Sequence, residues 1–369
     1  MRRSHRSSTS SGSRERTAAP TRYPPPSTVL ETLARRERRD EGADATGEPL
    51  LLLTVGKGGT GKTTVAAAMA VALAERGLRV LIASIDPAHN LGDVLETPLH
   101  GEPTAVGASG RLWAVEVDME RALDRYLERQ SAELKAAYRY LQAFNLEGYL
   151  DTLRHSPGVE EQAAIEEIAR LVETARAREA DLLVIDTPPT GLTLRVLALP
   201  SVSVRWAQHL GMVRQALLER RDALERVLGP QRAIVGGEEM ELPSREDRDP
   251  IGQILRDYRA EMEALEHRLR DRARCGVVVV RNEDRLSICE TARALESLAA
   301  FDIPVALTVV NKAAAGPSSQ QPGGGSLLAG GGASEPYPVR HVPLQSPEPI
   351  GLEALRRVAA HLLPGADAV

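Results

Sequence analysis

A run of nine residues, Gly56 to Thr64, has the residue types and spacing needed to bind phosphate. It follows a short apolar stretch, Leu50 to Val55, and precedes a helical pattern. Glycines allow backbone torsions that turn successive N–H groups inward, and a following helix adds the positive end of its dipole. A lysine supplies charge to the β- and γ-phosphates, and a hydroxyl can ligate Mg²⁺. A nucleoside triphosphate is therefore predicted to bind Gly56, Lys57, Gly58, Gly59, Thr60, Gly61, Lys62, Thr63 and Thr64.

Two aspartates stand at the ends of other apolar stretches. Asp86 follows residues 80–85, and Asp186 follows residues 182–185. Ligands of open parallel sheets bind outside the carboxyl ends of the strands, so both carboxylates are expected near the phosphate loop. The alternative interpretation is that each aspartate caps a helix that follows its strand.

Short apolar runs alternate with helical patterns along the chain, which predicts an α/β fold of the P-loop NTPase type. Its mostly parallel sheet is flanked by helices and joined by right-handed crossovers. The predicted strands are residues 50–55, 80–85, 182–185, 276–280 and 305–310. The predicted helices are residues 62–76, 118–153, 159–178, 287–300 and 352–363. A helical insert is predicted at about 201–274, with a polar break near 229–249.

Composition excludes several classes of protein. Apolar residues make up 42% of the 369 residues, enough for a sizeable core, whereas 3% aromatic residues argue against a base-stacking nucleic-acid platform. No run of about 18 apolar residues occurs, so neither a membrane span nor direct membrane insertion is expected. Two cysteines form no disulfide framework, which favours the reducing cytoplasm.

The first 47 residues differ in composition from the remainder, residues 48–369. Residues 1–40 contain ten arginines and four acidic residues, and the segment is rich in Ser and Pro. We expect a disordered basic head, with an organelle transit peptide as the alternative. A second flexible segment is predicted in the Gly-rich stretch at about 313–336.

Two motifs resemble signatures of the ArsA family. Residues 84–93 read Ser-Ile-Asp-Pro-Ala-His-Asn-Leu-Gly-Asp, and residues 186–195 read Asp-Thr-Pro-Pro-Thr-Gly-Leu-Thr-Leu-Arg. The ArsA family includes arsenite-pump ATPases and the Get-pathway ATPases that target tail-anchored membrane proteins. The resemblance covers about residues 49–363 and implies ATP hydrolysis with Mg²⁺ by a homodimer. The client, a membrane protein or an anion, is left open.

The resemblance assigns roles to the catalytic and metal-binding residues. Asp86 corresponds to the residue that orients or deprotonates the attacking water, and Asp186 corresponds to the acid that holds Mg²⁺ through water, beside Thr63. Lys57 marks a deviant phosphate loop whose first lysine reaches the nucleotide of the partner subunit. Lys57 and Lys62 therefore join Asp86 as the expected catalytic residues. The alternative for Lys57 is a solvated loop lysine.

Three further residues are expected at the nucleotide. Asn311 corresponds to the position whose amide reads adenine, although a cap or turn role is the alternative. Asp284 stands where relatives have glutamate near the nucleotide, and Asn90 belongs to the first motif.

The sequence also departs from the family pattern. Leu192 replaces a common histidine, and no Cys-x-x-Cys pair exists, so no zinc is expected. Cys275 and Cys289 are interpreted as buried structural thiols, which leaves metalloid binding in doubt.

Two questions remain open at this stage. The apolar stripe in the insert could pack in the core or form a groove for an apolar client. Instead of an ATP hydrolase, the chain could be a dimerising nucleotide-binding module with little turnover, or a positioning ATPase of the ParA/MinD type.

Overall fold

The computed structural model describes residues 23–38, 47–137, 153–230, 232–235, 238–314 and 337–363. The strands in chain order are β1 Leu50–Gly56, β2 Val80–Ser84, β3 Thr104–Val106, β4 Leu112–Glu116, β5 Leu182–Asp186, β6 Arg232–Val235, β7 Glu238–Glu241, β8 Cys275–Arg281, β9 Val305–Ala313 and β10 Val339–Pro343. Eight of them form one sheet in the order β10-β9-β8-β1-β5-β2-β4-β3. Every neighbouring pair in it is parallel except β3 and β4. The predicted α/β fold with a mostly parallel sheet is confirmed.

Helices flank the sheet on both faces. In chain order they are α1 Val29–Glu37, α2 Lys62–Glu75, α3 Leu91–Leu95, α4 Met119–Ala137, α5 Val159–Ala177, α6 Thr190–Leu228, α7 Pro250–Arg270, α8 Arg285–Ala300 and α9 Gly351–Leu362. The helical pattern predicted at 118–153 is confirmed as far as Ala137, and residues 138–152 lie outside the described residues. No helix in the described ranges has the length and apolar character needed to cross a membrane.

The central strand β1 is buried on both faces, as expected of a strand inside a parallel sheet. Leu50 and Leu52 belong to the apolar cluster that includes α2 and α9. Leu51 and Leu53 belong to the opposite cluster, with α5 and α8. This alternation follows the two-residue period of a strand, and it holds the carboxyl end of β1 rigidly between two cores.

The disorder predicted for residues 1–47 is wrong for part of that segment. Residues 29–37 form α1, in which Val29 and Leu33 are only 0% and 1% exposed. Composition averaged over the whole head hides this short amphipathic helix. Residues 1–22 and 39–46 lie outside the described residues.

The position of α1 depends on a glycine at the start of β8. A Cβ on Gly276 would lie 2.8 Å from both the Ser27 hydroxyl and a methyl group of Val29. The Ser27 hydroxyl also donates to the Cys275 carbonyl at 2.7 Å. The N-terminal segment therefore fills a notch that only glycine leaves open.

The insert predicted at 201–274 is longer and less uniform than expected. Helix α6 begins at Thr190, and strands β6 and β7 form an antiparallel hairpin within the predicted polar break. Arg214 of α6 donates two hydrogen bonds, at 2.9 and 2.6 Å, to Asp249 just before α7. This partly buried pair ties the two helices together.

The predicted apolar stripe divides between core and surface. Leu265 and Leu269 of α7 are buried, whereas Trp206, Val213 and Leu217 of α6 are exposed. The core interpretation is confirmed for the buried residues of α7, and a client groove on α6 stays a prediction.

The two edge strands were not predicted. Strand β3 has three residues, and β10 ends at Pro343 beyond a shift in register. Short edge strands carry too weak a pattern to identify from sequence. The predicted Gly-rich segment is outside the described residues from 315 to 336.

Candidate functional site

The phosphate loop joins β1 to α2 and needs its glycines for two different reasons. Gly59 and Gly61 have φ of +78° and +88°, in the region that L side chains rarely adopt. Gly56 has no positive φ, but a Cβ there would lie 2.2 Å from the carbonyl oxygen of Val280. The nearest atom to a Cβ on Gly58 would be 3.9 Å away. Close packing against β8 was not foreseen from the sequence.

The start of α2 presents positive charge at the loop. Lys62 is the first residue of α2 and is 5% exposed. The first N–H groups of a helix have no partner within it, and the N-cap residue, Gly61, has no side chain to supply one. Charge and free N–H groups together create a site for an anion.

Asp186, at the end of β5, lies beneath this loop and accepts hydrogen bonds from three hydroxyl groups. Thr63 donates at 2.8 Å, Ser84 at 3.1 Å and Thr54 at 3.3 Å. The strand order β1-β5-β2 explains this convergence, because Thr54 and Ser84 are the register partners of Asp186 on its two neighbours. The expected proximity of this aspartate to the phosphate loop is observed.

The pKa of Asp186 is raised from its usual 3.8 to about 6, mainly by burial and to a smaller extent by the charge of Asp86. The hydrogen bonds from Thr63 and Ser84 and the charge of Lys62 act in the opposite direction. The surrounding groups therefore stabilise the negative charge of this carboxylate less well than water would. A bound cation would supply the missing stabilisation.

The carboxylate and hydroxyl oxygens of Asp186 and Thr63 are ligands that Mg²⁺ prefers. Mg²⁺ in phosphate-transfer sites is commonly held by few protein ligands together with water and phosphate oxygens. The residues therefore fit the expected metal. No group of three or more His, Cys, Asp and Glu side chains in the described ranges is arranged to hold a metal ion.

Asp86 begins the segment after β2 and is half-buried. Its carboxylate accepts from the N–H of Ala88 at 3.1 Å, and its backbone carbonyl accepts from the N–H of His89 at 3.2 Å. His89 has φ of +47°. The aspartate is thus held in a tight turn, close enough for its charge to act on Asp186.

Asn311 reaches the phosphate loop from β9. It is 8% exposed, and its amide nitrogen donates to the Thr60 carbonyl at 2.8 Å. A Cβ on Gly61 would lie 2.3 Å from the same nitrogen. The structure therefore places Asn311 against the phosphate loop, and its contact with adenine stays a prediction.

Asp284 and Asn90 are less closely integrated. Asp284 is exposed and caps α8 by accepting from the N–H of Ser287 at 2.9 Å. Asn90 is exposed at the start of α3 and makes no capping hydrogen bond through its side chain. A nucleotide contact for either residue stays a prediction.

Sequence reasoning missed several residues that shape the site. Thr54 and Ser84 are polar residues in otherwise apolar strands, a signal that could have identified them. Glu116, at the end of β4, accepts from the N–H of Gly92 at 2.9 Å and so holds the segment after Asp86. Lys312 donates to the Gly59 carbonyl at 3.0 Å.

The two cysteines do not share the predicted environment. Cys275 is buried, and burial raises the pKa of its thiol to about 12. Cys289 is exposed on α8, so the prediction of a buried thiol is wrong there. A helix start was mistaken for a core position.

Comparisons with known proteins identify the family of the chain. The profile of a family described as Anion-transporting ATPase (ArsA) matches residues 50–323. A protein of Aquifex aeolicus that is named as an arsenical pump-driving ATPase is 30% identical to this chain. The match covers 70% of this chain and 78% of the length of that relative. ATPase ARSA2 of Chlamydomonas reinhardtii is 32% identical over 70% of this chain and 66% of its own. ATPase GET3 of Mycosarcoma maydis is 29% identical over 71% of each chain. The chain thus spans between 66% and 78% of the length of these relatives.

Proposed function

The chain belongs to the ArsA family of anion-transporting ATPases, and from that premise we propose a Mg²⁺-dependent ATP hydrolase that switches between nucleotide states as a homodimer. The observation that carries this proposal is Asp186, buried beneath the phosphate loop with the Thr63 hydroxyl at 2.8 Å. A structural glycine turn has no need of a buried carboxylate under it. A loop that binds triphosphate with Mg²⁺ does.

Each residue has a physical task in this reaction. Lys62 and the N–H groups at the start of α2 bind the phosphates, and Asp86 orients the attacking water. Thr63 and Asp186 would hold Mg²⁺, which neutralises charge on the phosphate oxygens when bound. Phosphoryl transfer depends mainly on positioning and charge stabilisation, so these residues suffice for the chemistry proposed.

The orientation of Asn311 supports adenine over guanine. The Thr60 carbonyl can only accept, so the amide nitrogen of Asn311 must face it. The amide oxygen is then the group available to a base. At position 6 of the base, an acceptor suits the amine of adenine, whereas the carbonyl of guanine would need a donor.

The direct test uses two variants, one expected to lose ATP binding and one expected to keep binding but lose hydrolysis. Lys62→Ala should abolish ATP binding measured by calorimetry, because several charge-assisted contacts of about 1.5–3 kcal/mol each are lost. Asp86→Asn should bind Mg-ATP normally but hydrolyse it on the order of 100-fold more slowly. Wild-type affinity in the first variant, or wild-type turnover in the second, contradicts the proposed roles. Binding without measurable phosphate release in the wild type favours the alternative of a nucleotide-binding dimerisation module.

The proposed dimer is supported by Lys57, which directly follows β1 in the phosphate loop and is partly exposed. Its charge is assigned to the nucleotide of the partner. Lys57→Ala should keep ATP affinity in the monomer and weaken ATP-dependent dimerisation in light-scattering measurements. An unaltered ATP-bound dimer would remove this role.

The client we propose is a protein with an apolar segment, in the cytoplasm. Support comes from α6, where Trp206, Val213 and Leu217 are exposed at helical spacing. One buried and one exposed cysteine give less support to a metalloid, which is bound by clustered thiolates.

Serine substitutions on this face test the client. Val213→Ser and Leu217→Ser should reduce ATP-dependent capture of a model apolar helical peptide, whereas Leu286→Ser on α8, also an exposed leucine, should not. Equal capture by all variants would direct the search back to an anion client.

A further inference from the structure

A third lysine lies beside the phosphate loop, contributed by β9. The Nζ of Lys312 donates to the Gly59 carbonyl at 3.0 Å. The preceding residue, Asn311, donates to the next carbonyl, that of Thr60, at 2.8 Å. Two adjacent residues of one strand therefore hold two successive carbonyl groups of the loop.

The strand is irregular at this pair. On one side of it Val310 pairs with His341 of β10, and on the other side Ala313 pairs with Pro343. One residue of β10 thus faces two residues of β9, which defines a β-bulge. Bulges bend a strand and redirect side chains, and they occur often next to active sites. Here the bulge directs both side chains at the phosphate loop.

The backbone of Lys312 is also strained. Its φ is +54°, in the left-handed region that is unfavourable for a residue with a Cβ. Glycine would adopt this conformation without strain. Strained residues persist where the surrounding structure enforces them, and they cluster at functional sites. A lysine kept at a position suited to glycine indicates that its side chain is needed.

We propose that Lys312 is a positioning residue of the nucleotide site, an inference that rests on the proposed ATP-binding function. A planar trans peptide directs its N–H opposite to its carbonyl. With the Gly59 carbonyl held by Lys312, the N–H of Thr60 points away from Lys312 and meets the Lys57 carbonyl at 3.3 Å. The loop is ordered before the nucleotide arrives, so less conformational entropy is lost on binding.

Four variants separate positioning from other roles. Lys312→Gly removes the strain and the donor, and Lys312→Met removes the donor but keeps the length of the side chain. Lys312→Arg keeps a charged donor, whereas Lys312→Gln keeps an uncharged one. Arg357→Met is the control, because Arg357 is an exposed cation on α9 paired only within its own helix in the described structure.

Calorimetry with ATP and thermal melting are measured on the full chain. Lys312→Gly should melt at or above the wild-type temperature yet bind ATP about 5- to 10-fold more weakly. Lys312→Met should weaken binding to the same degree, Lys312→Arg and Lys312→Gln should restore most of it, and the control should match the wild type. Wild-type affinity in the Gly and Met variants overturns the proposal. Weakening that tracks a lowered melting temperature also overturns it, since the role is then structural. If Lys312→Arg restores ATP affinity but Lys312→Gln does not, the proposal is overturned in favour of a direct contact between the lysine charge and phosphate.

Hydrogen exchange of the loop without nucleotide keeps this test independent of the proposed function. The amides of residues 58–61 should exchange faster in Lys312→Met than in the wild type. If the wild type binds no ATP but this difference is present, the ATPase proposal fails and Lys312 still orders the loop. If exchange is unchanged, the positioning role fails whatever the loop binds.

Discussion

Replacing Asp186 with asparagine should stabilise the metal-free protein while abolishing its activity. Asparagine has nearly the same shape and keeps an oxygen to accept from Thr63 and Ser84. Its amide nitrogen would face the Thr54 hydroxyl, which can turn its own hydrogen to the Ile185 carbonyl at 3.4 Å and accept instead. The substitution therefore removes a buried charge without leaving an obvious unpaired group.

The magnitude follows from the pKa of Asp186, raised from 3.8 to about 6. Because this pKa is raised in the folded state, the folded protein holds the proton more tightly than the unfolded chain. The stabilisation is fully present below pH 3.8 and is lost as the pH rises through about 6. At about 1.4 kcal/mol per pKa unit, the difference between the two values amounts to about 3 kcal/mol. Asp186→Asn should exceed the wild type by about that free energy of unfolding at pH 8, and by little at pH 4.

The assay is urea denaturation at several pH values in the presence of a chelator, followed by turnover with Mg-ATP. Asp257→Asn, an exposed aspartate on α7, serves as the control and should show no pH-dependent gain. Turnover of Asp186→Asn should fall at least about 100-fold, because several kcal/mol of charge stabilisation by the metal are lost. If Asp186→Asn is less stable than the wild type at pH 8, the inference that the buried charge of Asp186 destabilises the folded protein is refuted. Wild-type turnover would refute the metal role.

Three further predictions concern the fold and the client. Leu33→Ala should lower the free energy of unfolding by about 2–5 kcal/mol because its fully buried side chain is truncated, and a wild-type denaturation curve would contradict the packing of α1. Gly56→Ala should lower the free energy of unfolding by about 1–3 kcal/mol, because its Cβ would lie 2.2 Å from a carbonyl oxygen of β8. Gly58→Ala should leave the free energy of unfolding nearly unchanged. Equal losses in the two variants would show that the loop packs differently. The ATPase rate should not respond to arsenite, because Cys275 is buried and Cys289 is exposed; several-fold stimulation that disappears in the Cys275→Ser/Cys289→Ser double variant would restore a metalloid client.

The sequence predicted the features that depend on local pattern. The strand–loop–helix around Lys62 and the aspartates at strand ends follow from residue spacing and from the geometry of parallel sheets. Features that depend on distant contacts were missed. The notch at Gly276 that holds α1 and the contact of Lys312 with the Gly59 carbonyl both arise from segments far apart in the chain. Thr54 was visible as a polar residue in an apolar strand, but its partner could be identified only from the strand order.

The edges of the central sheet bear on how two copies could associate. Strand β3 offers three residues for pairing, and β10 ends in a proline, which lacks an N–H donor, next to a bulge. Short strands, prolines and bulges are the means by which proteins prevent their sheets from extending into a neighbouring molecule. Continuation of the sheet from one copy to the next is therefore disfavoured at both ends. The same features disfavour edge-to-edge aggregation, so the proposed pairing of two copies would use a surface other than the edges of the sheet.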